Sequence, residues 1–301
     1  MDNTNISKHL GKASEYKSTY DPSLLVREPR SSNRIHLNIH DDDLPFVGYD
    51  TWNAYEVSCL LQSGTPIAAV AKIVYNCNNK YIVESKSIKL YLNSFNMTRL
   101  DTDDCTTACQ ILSSKIQEDL STLLEVNVDV SIISNKSAFN NSAKSTAFNE
   151  WDMNKHLTLE DNISVKCAVY SETPSLLQTI KLNESESVYL HSGLLKSNCR
   201  VTQQPDWGDV FIYYKGKTHV TGESLLQYII SFRDECHFHE EICEAIFVRL
   251  KQRLEPEELS VKCLYARRGG IDINPQRATS VQLLDKNLLT PNNLHIKTPK
   301  Q

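Results

Sequence analysis

The feature that most constrains this chain is a weak internal repeat. Ser87-Ile88-Lys89-Leu90-Tyr91-Leu92-Asn93-Ser94-Phe95 matches Ser224-Leu225-Leu226-Gln227-Tyr228-Ile229-Ile230-Ser231-Phe232 at Ser, Tyr, Ser and Phe, four identities in nine positions. Each copy is followed by apolar residues at helical spacing and then by an alternating strand. The first helix is expected over 106–124, with Ala108, Ile111, Leu112, Ile116, Leu120, Leu123 and Leu124 on its apolar stripe, and the first strand over Val126–Ile133. The second pair is Glu240–Leu254 and Leu259–Tyr265. The shared order of elements supports the repeat more strongly than the identities alone.

Upstream of the first copy, Leu44–Leu61 and Ile67–Asn76 read as strands of a hairpin turning at Gly64-Thr65-Pro66, and Lys80–Val83 is strand-like. In the second half the pattern predicts strands over Ile163–Tyr170 and Asp209–Tyr214, a hairpin-like turn at Lys215-Gly216-Lys217 and a helix over Ser224–Arg233. From Arg277 onward the chain reads as a polar tail. Hairpins followed by helices, present twice, point to an α+β fold of two tandem modules, with antiparallel sheets and helices packed on one face. The expected division is a weakly ordered lead-in over 1–35, an N-terminal module over 36–134, an Asn/Ser-rich linker or surface excursion over 135–160, and a C-terminal module over 161–301.

Composition excludes several classes. A formal net charge of -5 gives no global field for nucleic acid or an anionic membrane. No apolar run is long enough to span a membrane, and Met1–Tyr20 is polar, without the apolar core of a secretory signal. Nine cysteines, odd in number and irregularly spaced, fit reduced thiols in a cytoplasmic protein better than a disulfide framework.

The densest chemical stretch is Leu195–Gly208. Cys199 has Lys196 and Arg200 beside it, cations that favour a thiolate. Asp206 lies between Pro205 and Trp207 and can serve as a proton donor only where its surroundings, such as burial beside Trp207, raise its pKa. A thiol with a nearby acid is a catalytic pairing, although free Cys is more often a buried structural residue. Glu84-Ser85-Lys86-Ser87-Ile88-Lys89 offers a carboxylate for a heterocycle edge together with hydroxyl and ammonium groups for phosphate; the alternative is a solvated turn. Phe238-His239-Glu240 opens a helix, where Glu either caps or recognises a heterocycle. Arg267-Arg268-Gly269-Gly270 suits a phosphate or forms a basic hairpin tip. Cys236, His237, His239 and Cys243 approach a metal cluster in composition, but their spacing fits no well-known structural zinc signature. No GxGxxG follows a strand, so any dinucleotide binds outside a Rossmann fold. The first copy keeps Glu84-Ser85-Lys86 where the second has Thr221-Gly222-Glu223, while the second carries Cys199, Asp206, His239, Glu240 and Arg268. One composite site drawing on both modules is the economical expectation.

Together PRSSNR (29–34), LPFVGYDTW (44–52), ESKSIKLYLNSF (84–95), LLKSNC (194–199), QPDWG (204–208), SFR (231–233), FHE (238–240) and RRGGIDINP (267–275) occur in an order that resembles the NADPH-dependent 7-cyano-7-deazaguanine reductases, the QueF family, in their long two-module form. His191-Ser192-Gly193 and the 134–160 segment depart from that pattern. The resemblance implies tandem tunnelling-fold (T-fold) modules. It also implies reduction of the nitrile of 7-cyano-7-deazaguanine to the primary amine 7-aminomethyl-7-deazaguanine, with two NADPH per turnover and neither metal nor flavin, in tRNA queuosine biosynthesis. On it, Cys199 is the nucleophile that forms a thioimidate and Asp206 the proton donor. Val83, Glu84, Ser85, His239 and Glu240 correspond to substrate contacts, and Ser85, Lys86, Arg268 and Gly269 to NADPH contacts. The expected partners are a free deazapurine, not nucleic acid or membrane, and a second copy in a homodimer, because sheet edges close by association. Two alternatives remain at this point. One is a zinc-dependent tunnelling-fold cyclohydrolase using Cys236, His237, His239 and Cys243. The other is a non-catalytic purine- or pterin-binding module that keeps Glu84 and Glu240.

Overall fold

A computed structural model describes residues 17–134, 157–159, 161, 164–290, 294, 297, 298, 300 and 301. Most of the expected 135–160 linker and residues 1–16 of the lead-in lie outside the described residues. The first half contains Arg27–Pro29 (β1), Ser31–Arg34 (α1), Val47–Leu60 (β2), Pro66–Asn76 (β3), Tyr81–Val83 (β4), Ser85–Asn93 (α2), Cys105–Leu124 (α3) and Val128–Ser134 (β5). The second contains Leu157–Leu159 (β6), Thr179–Asn198 (β7), Pro205–Val220 (β8), Gly222–Ser231 (α4), His239–Leu254 (α5), Glu258–Tyr265 (β9), Ile271–Ala278 (β10) and Lys286–Leu289 (α6). Each half is a long hairpin, two helices and a return to the sheet. This is the tandem α+β arrangement that the repeat predicts.

All four repeat identities make the same contacts in both halves. Ser87 Oγ accepts from Val26 N and Ser224 Oγ from Gln178 N, both at 3.0 Å. Tyr91 meets Phe95 edge-on at 5.4 Å, and Tyr228 meets Phe232 at 5.3 Å. Ser94 Oγ donates to Tyr91 O at 2.6 Å and Ser231 Oγ to Tyr228 O at 2.7 Å. The repeat also reaches further back than those nine residues. Pro22-Ser23-Leu24-Leu25 and Pro174-Ser175-Leu176-Leu177 form matching 3-10 turns in which the last amide donates to the proline carbonyl, at 3.2 and 3.1 Å.

The halves merge into one eight-stranded sheet, ordered β5-β3-β2-β10-β9-β8-β7-β6 and antiparallel except for β6 beside β7. The seam between them is β2 against β10, paired from Ala54–Ile271 to Val47–Ala278. The two cores interlock across it. Ile271 and Ile273 of β10 pack in the first half's core, while Phe46 and Cys77 pack in the second's.

An ion network lies on the helix side of this seam. Arg30 Nη2 is 2.5 Å from Asp50 Oδ2, and Arg277 reaches Asp50 Oδ1 and Glu244 Oε1, each at 2.9 Å. Arg34 holds both oxygens of Glu244, at 2.9 and 3.1 Å. All five side chains are buried. Burial opposes ionisation of Asp50 and Glu244, but the guanidinium groups outweigh it and hold both carboxyls below their ordinary range. Part of the expected lead-in is therefore built into the fold, because Arg30 and Arg34 come from residues 17–35.

Three further expectations are corrected. Residues 164–170 form no strand. Lys215-Gly216-Lys217 lies inside β8, with β7 paired to Lys215 and Gly216 and β9 to Lys215; the hairpin turns instead at 199–204. The "polar tail" begins after a central strand, β10, in which Arg277 is buried. Asp272, Asn274 and Gln276 of β10 lie on the sheet face opposite Arg277 and bond to Asn53, Lys297, Thr51, Gln301 and Ser260, so a fully buried strand carries a polar pattern.

A Cβ at Gly48 stands 2.2 Å from the Gln276 carbonyl oxygen across the seam. Gly48→Ala is expected to cost about 1–3 kcal/mol through overpacking, and Asp50→Ala about 3–5 kcal/mol through stranded buried charge. Urea melts check both, and wild-type midpoints would show that the seam is not close-packed.

Candidate active site

The β7–β8 hairpin places its reactive groups by register. Ser197 pairs with Asp206 and Asn198 with Pro205, leaving 199–204 as the turn. Cys199 N donates to Gln204 O and Gln203 N to Cys199 O, both at 2.9 Å, and Gln203 takes the left-handed conformation at φ 57°. Strand alternation turns Asp206 inward and Trp207 outward, where Trp207 is 37% exposed with the Arg233 guanidinium 5.1 Å over its ring. The tryptophan lining the interior is Trp52 of β2.

Three elements meet this turn. The start of α2 brings Glu84, Ser85, Lys86 and Lys89, the start of α5 brings His239 and Glu240, and the β9–β10 turn brings Arg268 and Gly269. A cleft of about 220 Å³ is lined by Glu84, Ser85, Lys86, Lys89, Cys199, Thr202, His239, Arg268 and Gly269 among others. A narrow extension of about 10 Å³ adds Trp52, Val83, Asp206 and Glu240 while sharing Ser85, Cys199, His239 and Arg268. Val83, Glu84, Ser85, Lys86, Cys199, Asp206, His239, Glu240, Arg268 and Gly269 thus line two adjoining spaces, whereas Arg267, Cys236 and Cys243 line neither. Thr202, Lys89 and Trp52 also line them. Lys89 carried a signal, since it lies one helical turn beyond Lys86; Thr202 carried none beyond its place in the loop.

The charges do not act as sequence neighbours suggested. Burial opposes ionisation of the Cys199 thiol, but hydrogen bonds from the Thr202 hydroxyl and amide, the Arg268 guanidinium and the Val201 amide hold it below its ordinary value. Arg200 turns away to Glu241 Oε2 at 2.8 Å, and Lys196 binds Asn198 Oδ1 at 2.8 Å and Arg233 O at 2.6 Å. Asp206 is pushed up to about 6 by burial, against the pull of Arg268 and Lys196. Arg268 Nη1 lies 3.0 Å from Asp206 Oδ1, a close ion pair that lacks the alignment of a hydrogen bond.

His239 packs edge-on against Tyr265 at 4.0 Å, with Nε2 3.8 Å from Asp206 Oδ1. Burial and then Arg268 push its imidazole down to about 3, so it is neutral. Glu241, not Glu240, serves the helix start, accepting from Phe238 N at 2.9 Å. Glu240 is left buried with Oε1 unpartnered, and burial followed by repulsion from Asp50 raises its carboxyl to about 8. Glu84 differs, for it caps α2, accepting from Lys86 N at 3.0 Å and Ser87 N at 2.7 Å. Each carboxylate oxygen keeps a lone pair for a second donor. The two guanidinium groups of the basic turn separate: Arg267 lies 3.5 Å over the Tyr55 ring, and Arg268 points into the cleft.

The proposed metal ligands do not converge. Cys236 is exposed, His237 lies between Glu235 and Glu241, and Cys243 Sγ is directed at the Val261 and Pro275 carbonyls. Among the described residues no three His, Cys, Asp or Glu side chains are arranged to hold a metal ion.

Comparison with known proteins matches residues 16–132 to the family described as "Nitrile reductase, 7-cyano-7-deazaguanine-reductase N-term" and residues 205–282 to "QueF-like protein". An NADPH-dependent 7-cyano-7-deazaguanine reductase of Legionella pneumophila (strain Lens) is 40% identical over 92% of this chain and 91% of its own length. The chain belongs to the QueF family. Proteins of the same name from Rickettsia bellii (strain OSU 85-389) and Acidovorax ebreus (strain TPSY) are 42% and 40% identical, over 90% and 96% of this chain and 92% and 99% of theirs. The candidate site of this QueF chain is lined by side chains from both of its halves.

Thr202→Val is expected to raise the pH at which Cys199 becomes reactive by about one unit, whereas Arg200→Ala is expected to leave it in place. Iodoacetamide alkylation followed across pH in a Cys236→Ser background checks this. A shift with Arg200→Ala and none with Thr202→Val would reverse the assignment of which group holds the thiolate.

Proposed function

We propose that this protein reduces the nitrile of 7-cyano-7-deazaguanine to the primary amine of 7-aminomethyl-7-deazaguanine at the expense of two NADPH, through a thioimidate on Cys199. One observation carries the reading. A thiol held toward its ionised form and a carboxyl pushed up to about 6 line the same narrow space as the Glu240 carboxyl, whose Oε1 is unpartnered.

The residue chemistry suits a nitrile. A nitrile carbon is a poor hydride acceptor, and addition of the Cys199 thiolate converts it to a more electrophilic C=N. The sulfur–carbon bond forms as a C≡N π pair moves to nitrogen, which takes the proton of Asp206. Glu240 and Glu84 suit the N–H donors of a guanine-like edge. His239, kept neutral, and the backbone of Val83–Ser85 suit the rest of the ring. Lys86, Lys89 and Arg268 gather cationic groups on one side of the cleft, and Gly269 at φ 59° keeps the backbone there free of a side chain, which fits a phosphate-bearing cofactor. Bound NADPH supplies hydride. Between the two reductions the imine must be kept from water, a task for the buried walls of Trp52, Val83 and Ile273.

The same reading takes the substrate as the free deazapurine, made for tRNA queuosine, in a cytoplasmic homodimer. The structure of the described residues contains no helix long and apolar enough to cross a membrane. The non-convergence of Cys236, His237, His239 and Cys243 weighs against a zinc cyclohydrolase.

Incubation with the nitrile is expected to add its full mass to the protein, and Cys199→Ala is expected to show no adduct. Because Asp206 titrates near 6 and donates its proton only when protonated, adduct formation is expected to slow as pH rises through that value. Asp206→Asn is expected to abolish this limb and slow turnover about 100-fold or more. Intact-mass kinetics and NADPH absorbance check these outcomes; a wild-type protein that forms no adduct and oxidises no NADPH refutes the proposal.

A further inference from the structure

We infer that Arg268 is a catalytic residue of the covalent addition step itself, acting on Cys199 and Asp206 before any cofactor is used. This inference rests on the nitrile-reductase reading and goes beyond a role for Arg268 in holding a phosphate.

The geometry is specific. Arg268 is anchored at a tight turn in which its amide donates to Ile271 O at 2.9 Å and receives at its carbonyl from Ile271 N at 3.3 Å. Gly269 and Gly270, both at positive φ, complete the turn, so the backbone beneath the side chain is fixed. Its guanidinium lines both the cleft and the narrow extension, the two spaces that meet at Cys199. One Nη lies 3.0 Å from Asp206 Oδ1, and the same side chain lines both spaces together with Cys199, where its guanidinium helps to hold the thiol below its ordinary value. A single planar fork therefore pairs with the acid and sits in the same space as the nucleophile. Arg suits this task because its charge is permanent and its donors diverge in a plane.

In the addition, the thiolate pair becomes the S–C bond, a nitrile π pair becomes a nitrogen lone pair, and the Asp206 proton moves to that nitrogen. Negative charge thus passes from sulfur to the Asp206 carboxylate. Arg268 faces the charge at both its origin and its destination, and it need not move for the transfer. Its role is distinct from that of the other groups near these atoms. Cys199 is otherwise faced by the Thr202 hydroxyl and amide and the Val201 amide. Asp206 is otherwise faced by Lys196 and the neutral His239. Glu84, Lys86, Lys89 and Glu240 line the surrounding space. Among these described groups Arg268 is the permanent cation that both pairs with Asp206 and favours the Cys199 thiolate.

Adduct formation requires no hydride, so it separates the two roles open to Arg268. With the nitrile and no NADPH, Arg268→Ala is expected to slow the first-order appearance of adduct about 10- to 100-fold. Loss of the cation weakens both the thiolate and the Asp206 carboxylate, so the ascending and descending limbs of the pH–rate profile are both expected to move to higher pH. Arg268→Lys, which keeps the charge without the fork, is expected to recover the limbs more fully than the rate. Circular dichroism and urea melts confirm that the variants are folded. Adduct formation at the wild-type rate, with unmoved limbs and loss of NADPH oxidation alone, would overturn the inference and leave Arg268 a cofactor contact. If the wild-type protein forms no adduct, the nitrile-reductase reading fails, and alkylation of Cys199 by iodoacetamide then tests Arg268 independently. An upward shift of its pH profile in Arg268→Ala supports the contact with the nucleophile, and an unshifted profile refutes it.

Discussion

Arg30, Arg34 and Arg277 meet Asp50 and Glu244 out of water, and the relation between the two halves depends on this cluster. No member can be removed without leaving a buried charge uncompensated. Its members come from four places: the segment before α1 and α1 itself, β2, α5 and β10. The cluster thus ties the first half's strand β2, the second half's helix α5 and the strand β10 through which the two halves share one sheet. The same field reaches the site. Asp50 repels the Glu240 carboxylate and Arg30 attracts it, so the charge of a site residue is set partly by the groups that hold the seam.

The duplication explains why the site is lopsided. The repeat identities Ser, Tyr, Ser and Phe all make scaffold contacts, and none carries chemistry. What differs between the halves is what stands at equivalent places. Glu84 caps α2 where Thr221 precedes α4, and the helix that begins with His239-Glu240 corresponds to one that begins with Cys105. The seam brings the start of α2 to the β9–β10 turn, where Lys89 lies close enough to Gly269 to crowd any side chain placed there. Groups far apart in sequence become neighbours because β2 and β10 pair, not because either half encloses a site of its own.

Much of this was legible in the sequence. The long amphipathic helices, the β2–β3 hairpin and the doubled order of elements follow from apolar periodicity and turn residues, because those patterns report local burial directly. The misreadings share one physical cause: polar residues buried by long-range pairing look exposed. Arg30 and Arg34 read as part of a loose lead-in, Arg277 as the start of a tail, and Lys215–Lys217 as a turn, yet each sits in a network or strand fixed by residues far away in sequence. The residues lining the site were legible by type and motif. The direction of their side chains was not. Arg200 adjoins Cys199 in sequence but spends its charge on Glu241, while Arg268, far downstream, shares the cleft with Cys199 and favours its thiolate. Trp207 adjoins Asp206 and faces outward, while Trp52 lines the interior.

Glu240 has a consequence for thermodynamics. A carboxyl that titrates near 8 in the free protein is largely protonated at neutral pH. Paired N–H donors from a bound heterocycle favour its ionised form. Occupancy of the site and loss of a proton are then linked equilibria, so affinity for such a ligand rises with pH until the carboxyl is already ionised without it. The observed heat of binding correspondingly includes the ionisation heat of whichever buffer accepts the proton.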